Sequence, residues 1–190
     1  MIRTFIAIEL KNQETIEKII KFTQRLKQNQ DKLKLVEPHN LHLTVKFLGN
    51  IKEDLAPQIY KLIQEDINQL VFKGKTLTYI LKGVGQFQRF SVIWINLLGD
   101  IDFLQDIKNK LELELNQNLA IPKDKRQEFK PHLTVARLNK KRINYKTFDV
   151  YKKLVNDNEN TIFGNFEIKN IKLKKSTLTP KGPIYTDLVF

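Results

Sequence analysis

The tetrapeptide His-Leu-Thr-Val occurs twice, at residues 42–45 and 132–135, and each copy stands at nearly the same distance from an apolar run before it. Phe5 to His42 spans 37 residues, and Ile93 to His132 spans 39. A repeat of this kind suggests an internal duplication, two similar units sharing one interior. The first half reads as a strand at about 2–10 and a helix at about 12–30, where Ile16, Ile19, Ile20, Thr23 and Leu26 recur at helical spacing. A strand from Leu41 to Leu48 ends at Gly49-Asn50, a helix follows at about 53–70, and a further strand lies at roughly 75–83.

The second half repeats the order. Phe90 to Leu98 is rich in β-branched and aromatic residues, and Gly99-Asp100 breaks it and supplies a helix cap. A helix at about 101–118 carries Leu104, Ile107, Leu111 and Leu115 on one face, and the strand around His132 follows a basic loop. A weaker helix near 146–155 and two closing strands, about 163–176 and 184–190, complete the pattern. These elements describe one two-lobed α+β domain over residues 1–190, with pseudo-repeats of about 1–83 and 84–190 and a cleft between the lobes. A doubly wound parallel sheet is the alternative, but Gly83-Val84-Gly85 precedes a strand and is no glycine-rich phosphate loop.

Composition narrows the partners. The chain is 41% hydrophobic and 28% charged, as a packed globular protein is, and its formal charge is +12. Such a surplus points to a polyanion, nucleic acid before an anionic membrane surface; a generally lysine-rich composition is the alternative. The distribution favours the first, because Lys123 to Lys153 holds eleven Lys or Arg against three acids, bracketing His132. Lys169 to Lys181 adds five lysines and no acid. Without cysteine there is no disulfide or thiolate chemistry. The apolar N-terminal stretch is too short for a signal peptide, and no run reaches the roughly 18 apolar residues of a membrane span. A cytoplasmic monomer without membrane contact is expected.

Only three histidines occur: His39, His42 and His132. In a strand, His42 and Thr44 share one face while Leu43 and Val45 share the other, and His132 and Thr134 oppose Leu133 and Val135 in the same way. Each motif therefore sets an imidazole beside a hydroxyl on a polar face and anchors the strand to a core with the other. Two imidazoles titrating near neutrality can divide a reaction, one taking a proton from water and the other giving one to a leaving oxygen. Threonine hydroxyls can donate to non-bridging phosphate oxygens, so the set requires neither a metal nor a cofactor. His39 follows Pro38 in a loop and reads as a surface residue; with no cysteine or carboxylate cluster beside it, the His39/His42 pair makes no zinc set.

The segments Arg3–Ile8, Asn40–Gly49, Gly83–Phe87, Phe129–Arg137 and Leu173–Tyr185, with both His-x-Thr copies, extend the comparison over nearly the whole chain. In them the sequence resembles the two-histidine phosphoesterase superfamily, and within it the RNA 2′,3′-cyclic phosphodiesterases, also called 2′-5′ RNA ligases. Val45 and Val135 replace more usual leucines, and Gln88 stands where proline-containing sequence is usual nearby. The resemblance implies a bilobal fold with two antiparallel sheets facing a central cleft and helices outside. It implies hydrolysis of RNA 2′,3′-cyclic phosphate ends, transfer RNA fragments among them, or of cyclic nucleotides, to a 2′-phosphate. His42 would then be the proton donor and His132 the proton acceptor, although identical motifs do not order the two roles. Ligation through 2′-5′ linkages is the same site in reverse, and an RNA-binding module with little catalysis is the alternative.

Three neighbours join the expected site. Lys46, at i+4 from His42, falls on the catalytic face by alternation, where it would meet phosphate. Arg137, at i+5 from His132, falls on the opposite face; the phosphate contact implied for it by the resemblance needs a bulge or strand end near Ala136. Phe47, its counterpart in the first half, reads equally as a base-stacking ring or as a core phenylalanine.

Overall fold

The computed structural model describes residues 1–125, 128–180 and 182–190, so Arg126 and Lys181 of the basic stretches lie outside the described residues. Among the described residues nine strands are formed: β1 (Ile2–Glu9), β2 (Lys34–Leu35), β3 (His42–Ile51), β4 (Leu77–Phe87), β5 (Val92–Leu98), β6 (His132–Arg137), β7 (Ile162–Ile168), β8 (Lys172–Thr179) and β9 (Gly182–Asp187). Four α-helices accompany them there: α1 (Gln13–Asn29), α2 (Ala56–Leu62), α3 (Ile101–Leu119) and α4 (Phe148–Asn156). The helix expected at 53–70 is α2 continued by a π-helical stretch, Ile63–Phe72. Asn12 caps α1 by accepting from the Thr15 N–H at 2.9 Å, and Asp100 caps α3 by accepting from the Phe103 N–H at 3.0 Å, as Gly99-Asp100 suggested. No helix among the described residues is long and apolar enough to cross a membrane.

The fold is α+β, with antiparallel strands in the order β7-β4-β5-β6-β3-β1-β8-β9 and β2 added beside β6. The expected pair of facing sheets is one hydrogen-bonded sheet. Its two halves meet at the centre, where Leu43 of β3 pairs with Leu133 of β6. Both leucines are buried, and the helices cover their face of the sheet.

The lobes do not follow the sequence boundary near residue 83. β4, extending to Phe87, pairs with β5 and β7 in the second lobe, while β8 and β9 return to pair beside β1 in the first. The single strand expected over 163–176 is therefore two, β7 and β8, at opposite ends of the sheet. The helices exchange as well. α1 leaves β1 and packs with β7, β6 and α4, the Thr15 hydroxyl donating to the Asn165 carbonyl at 3.0 Å. α3 leaves β5 and packs with α2 and the π-helical stretch, on the first lobe's side.

Candidate active site

The central register decides what the duplicated motif does. Leu43 and Leu133 face the core opposite each other, so His42, Thr44, His132 and Thr134 all face away from it, toward the open side of the sheet. Counting one residue to either side of that antiparallel pair sets His42 beside Thr134 and Thr44 beside His132. Each imidazole thus has a hydroxyl from its own strand and one from the other copy as neighbours.

Each histidine is held in the same way. His42 Nδ1 donates to the Asn40 carbonyl at 2.6 Å, and His132 Nδ1 donates to the Lys130 carbonyl at 2.8 Å. A proton fixed on Nδ1 leaves Nε2 as the nitrogen that exchanges protons with a substrate. Aromatic rings complete both seats. The His42 ring lies 5.1 Å from Phe5 and 5.2 Å, edge to face, from Tyr185; His132 lies 5.3 Å from Phe87 and 5.9 Å from Trp94.

Both motif strands carry a β-bulge directly after the tetrapeptide's threonine. Against β1, Thr44 pairs with Ala7 but Lys46 with Ile6, so Val45 is the extra residue. Against β5, Thr134 pairs with Trp94 but Ala136 with Ile93, so Val135 is the extra residue. A bulge shifts the alternation by one position. Val135 and Ala136 both enter the core, and Arg137 emerges on the histidine face, with its charge acting on His42 and Tyr185. Arg137 thus stands where simple alternation did not put it. Phe47 emerges correspondingly, 68% exposed and 6.4 Å from Phe5, which rules out the core reading of its ring.

The same bulge corrects the placement of Lys46. Its side chain is 2% exposed and turned into the core side, with Nζ 2.9 Å from Glu112 Oε1 and 2.8 Å from Asp124 Oδ1. Lys108 lies 3.4 Å from the same Glu112 oxygen and 3.2 Å from Asp124 Oδ2, closing a four-charge cluster between β3, α3 and the loop leading to His132. Lys46 is occupied as a structural cation and does not reach the histidine face.

The profile of the AKAP7 2'5' RNA ligase-like domain matches residues 4–186. The chain belongs to this family. Two relatives of the ligase-like domain are the RNA 2',3'-cyclic phosphodiesterase of Methanocaldococcus jannaschii, 37% identical with 96% of each chain covered, and that of Archaeoglobus fulgidus, 32% identical over 98% of this chain and 97% of the relative. Among solved structures, a Thermus thermophilus protein superposes with a TM-score of 0.73 at 27% identity, covering 98% of this chain and 95% of the other. Escherichia coli LigT complexed with 3'-AMP gives 0.67 at 22% identity, covering 99% and 95%, and shares the fold.

The two seats of this ligase-like domain differ in their surroundings. Opposite His42 on β1 stands Glu9, which with Lys172, Lys174 and Asp187 forms a charged wall on the same face. Opposite His132 on β5 stands the neutral Asn96. Burial pushes the His42 pKa down; the Asn40 carbonyl opposes this, Lys174 and Arg137 push further down, and Glu9 pushes up, with a net depression. Burial also raises Tyr185, against the opposing charges of Arg137 and Arg3. The wall and the rings were absent from the expected site, since they come from strands distant in sequence. The clue to Glu9 was period-two alternation along β1, which sets Arg3, Phe5, Ala7 and Glu9 on one face. His39 is exposed outside this arrangement.

Trp94 depends on a glycine. A Cβ built on Gly85 would lie 2.2 Å from Trp94 Cζ2 and 2.3 Å from Cη2, so the indole occupies the space a side chain would need. Gly85→Ala is expected to displace Trp94 from His132 and to destabilise the fold by about 1–3 kcal/mol. Trp94 is the one tryptophan, so its fluorescence reports both the displacement and the urea midpoint; an unchanged spectrum and midpoint would refute the account.

Proposed function

We propose that the protein hydrolyses RNA 2′,3′-cyclic phosphate ends to 2′-phosphates by two-histidine acid–base catalysis. The observation that carries this reading is the paired seat: two imidazoles on one face, each with Nδ1 tied to the carbonyl two residues back and with Thr44 and Thr134 beside them. The names of the relatives supply the substrate class.

The phosphate sits against Thr44 and Thr134, whose hydroxyls donate to its non-bridging oxygens. His132 Nε2 takes a proton from the attacking water as its oxygen bonds to phosphorus. The bond from phosphorus to O3′ breaks, and His42 Nε2 delivers a proton to that oxygen, leaving a 3′-hydroxyl and a 2′-phosphate. His42 is depressed in the free protein, and the phosphate's negative charge favours the imidazolium needed for donation. Arg137 steadies the phosphate charge, and Phe47 offers its exposed ring to a base. The chemistry requires no metal. Joining ends through a 2′-5′ linkage reverses these steps and is disfavoured in water.

The test is turnover of an oligonucleotide ending in a 2′,3′-cyclic phosphate, in EDTA, with the product mapped. A 2′-phosphate formed at an undiminished rate under chelation is expected, with Phe47→Ala raising KM and leaving kcat in place. A 3′-phosphate, or salt-dependent binding without turnover, would overturn the reading, the latter in favour of an RNA-binding module.

A further inference from the structure

Beyond Arg137 the surface opens into a basic hollow of about 350 Å³ at the end of β6, lined by Lys32, Lys34, Arg137, Leu138, Asn139 and Arg142. Two observations make it more than a solvated edge. Lys34 is the β-ladder partner of Arg137, so main-chain pairing roots the two cationic side chains side by side on one face. None of Lys34, Arg137 and Arg142 forms an ion pair among the described residues; Lys32 alone meets an acid, Asp31, at 3.2 Å. Concentrating cations without counter-charges costs stability, and an anion supplied from outside relieves that cost.

The hollow also has a direction. The bulge at Val135 turns Arg137 onto the histidine face, and Arg137 lines the hollow too, so the phosphate seat and the hollow share this residue. Thr134 and Arg137 are separated by roughly 7–10 Å of strand, within reach of the next phosphate of an extended single strand. The first lobe places Phe47 at the position equivalent to Arg137, so the repeat does not reproduce the shared cation there.

We infer that this hollow is a second phosphate subsite, which takes the phosphodiester on the 5′ side of the terminal nucleotide and so makes the enzyme prefer cyclic-ended oligonucleotides to cyclic mononucleotides. The inference rests on the proposed phosphodiesterase reading for its substrate. It makes Lys34 and Arg142 specificity residues outside the reacting centre, with Arg137 shared between the two phosphates.

The experiment compares a nucleoside 2′,3′-cyclic phosphate with a cyclic-ended trinucleotide, using wild type, Lys34→Ala/Arg142→Ala and the charge-matched control Lys18→Ala/Lys61→Ala. Wild type is expected to favour the trinucleotide in kcat/KM at least tenfold. The hollow variant loses about tenfold on the trinucleotide through KM, keeps its mononucleotide rate, and shows a salt slope shallower by about 0.7 for each phosphate no longer neutralised. The control keeps wild-type values. Equal loss on both substrates, or no loss on the trinucleotide, overturns the subsite. Affinity for a trinucleotide 2′-phosphate, set against a nucleoside 2′-phosphate, is read in parallel. If no protein turns over either substrate, the phosphodiesterase reading fails, and the subsite stands or falls on whether the hollow variant loses trinucleotide affinity selectively.

Discussion

Replacing either His42 or His132 with alanine is expected to slow hydrolysis of a 2′,3′-cyclic phosphate by about 10²–10⁴-fold, the value of one positioned proton transfer. Both variants are expected to fall in this range because both rings are built alike, with Nδ1 held by a carbonyl and aromatic rings at their sides. The double variant is expected to lose much less than the product of the single losses, since an acid and a base acting in one step work as a unit. Single-turnover rates with a cyclic-ended oligonucleotide measure this, and denaturation midpoints confirm that the variants remain folded. A variant that retains nearly full activity would show that its histidine moves no proton in the slow step.

Lys46→Ala is expected to behave in the opposite way. The substitution leaves Glu112 and Asp124 sharing Lys108 as their remaining cation among the described residues, and breaking a buried ion pair costs about 3–5 kcal/mol. With Lys108 still present, the lower end applies; about 3 kcal/mol lowers the melting temperature by roughly 6–12 °C in a domain of this size. Activity of the protein that remains folded should change little. Were Lys46 a phosphate ligand, the pattern would invert, with KM rising and stability unchanged. The cluster also sets an acid limit. Burial raises the Asp124 carboxyl, but the hydrogen bonds and charges of Lys46 and Lys108 outweigh it and hold the group below its ordinary value. Its contribution is therefore complete above the unfolded pKa of about 3.9 and is lost as pH falls through the folded value.

Much of this site was legible because a short period governs it. His42, Thr44, His132 and Thr134 share a face by simple alternation, and the buried leucines between them confirm the register. Alternation failed where the bulges interrupt it. Alternation put Lys46 on the wrong face, and it set Arg137 on the histidine face only if a bulge lay near Ala136, as one does; in each strand the cause is an extra valine, Val45 or Val135, that composition does not reveal. Pairs of strands separated by most of the chain were likewise hidden. Tyr185 reaches His42 through β9, and Glu9 meets Lys172 and Lys174 through β8, contacts that no local window contains. The count of elements was nearly right, while their partners were not: residues 163–176 read as one strand, yet the break at Lys169–Ile171 sends its two parts to opposite lobes.

The exchange of α1 and α3 between the lobes, with β8 and β9 returning to the first, laces the two repeats together. Neither repeat as written in sequence owns the layer that covers its strands: residues 1–83 lack α3 and the outer strands of their lobe, and residues 84–190 lack α1 and most of β4. The two halves of the sheet are therefore not independently stable bodies on a tether. Any opening must be elastic, a flexing of the sheet about the Leu43–Leu133 seam. Each half of the chain depends on the other for its interior.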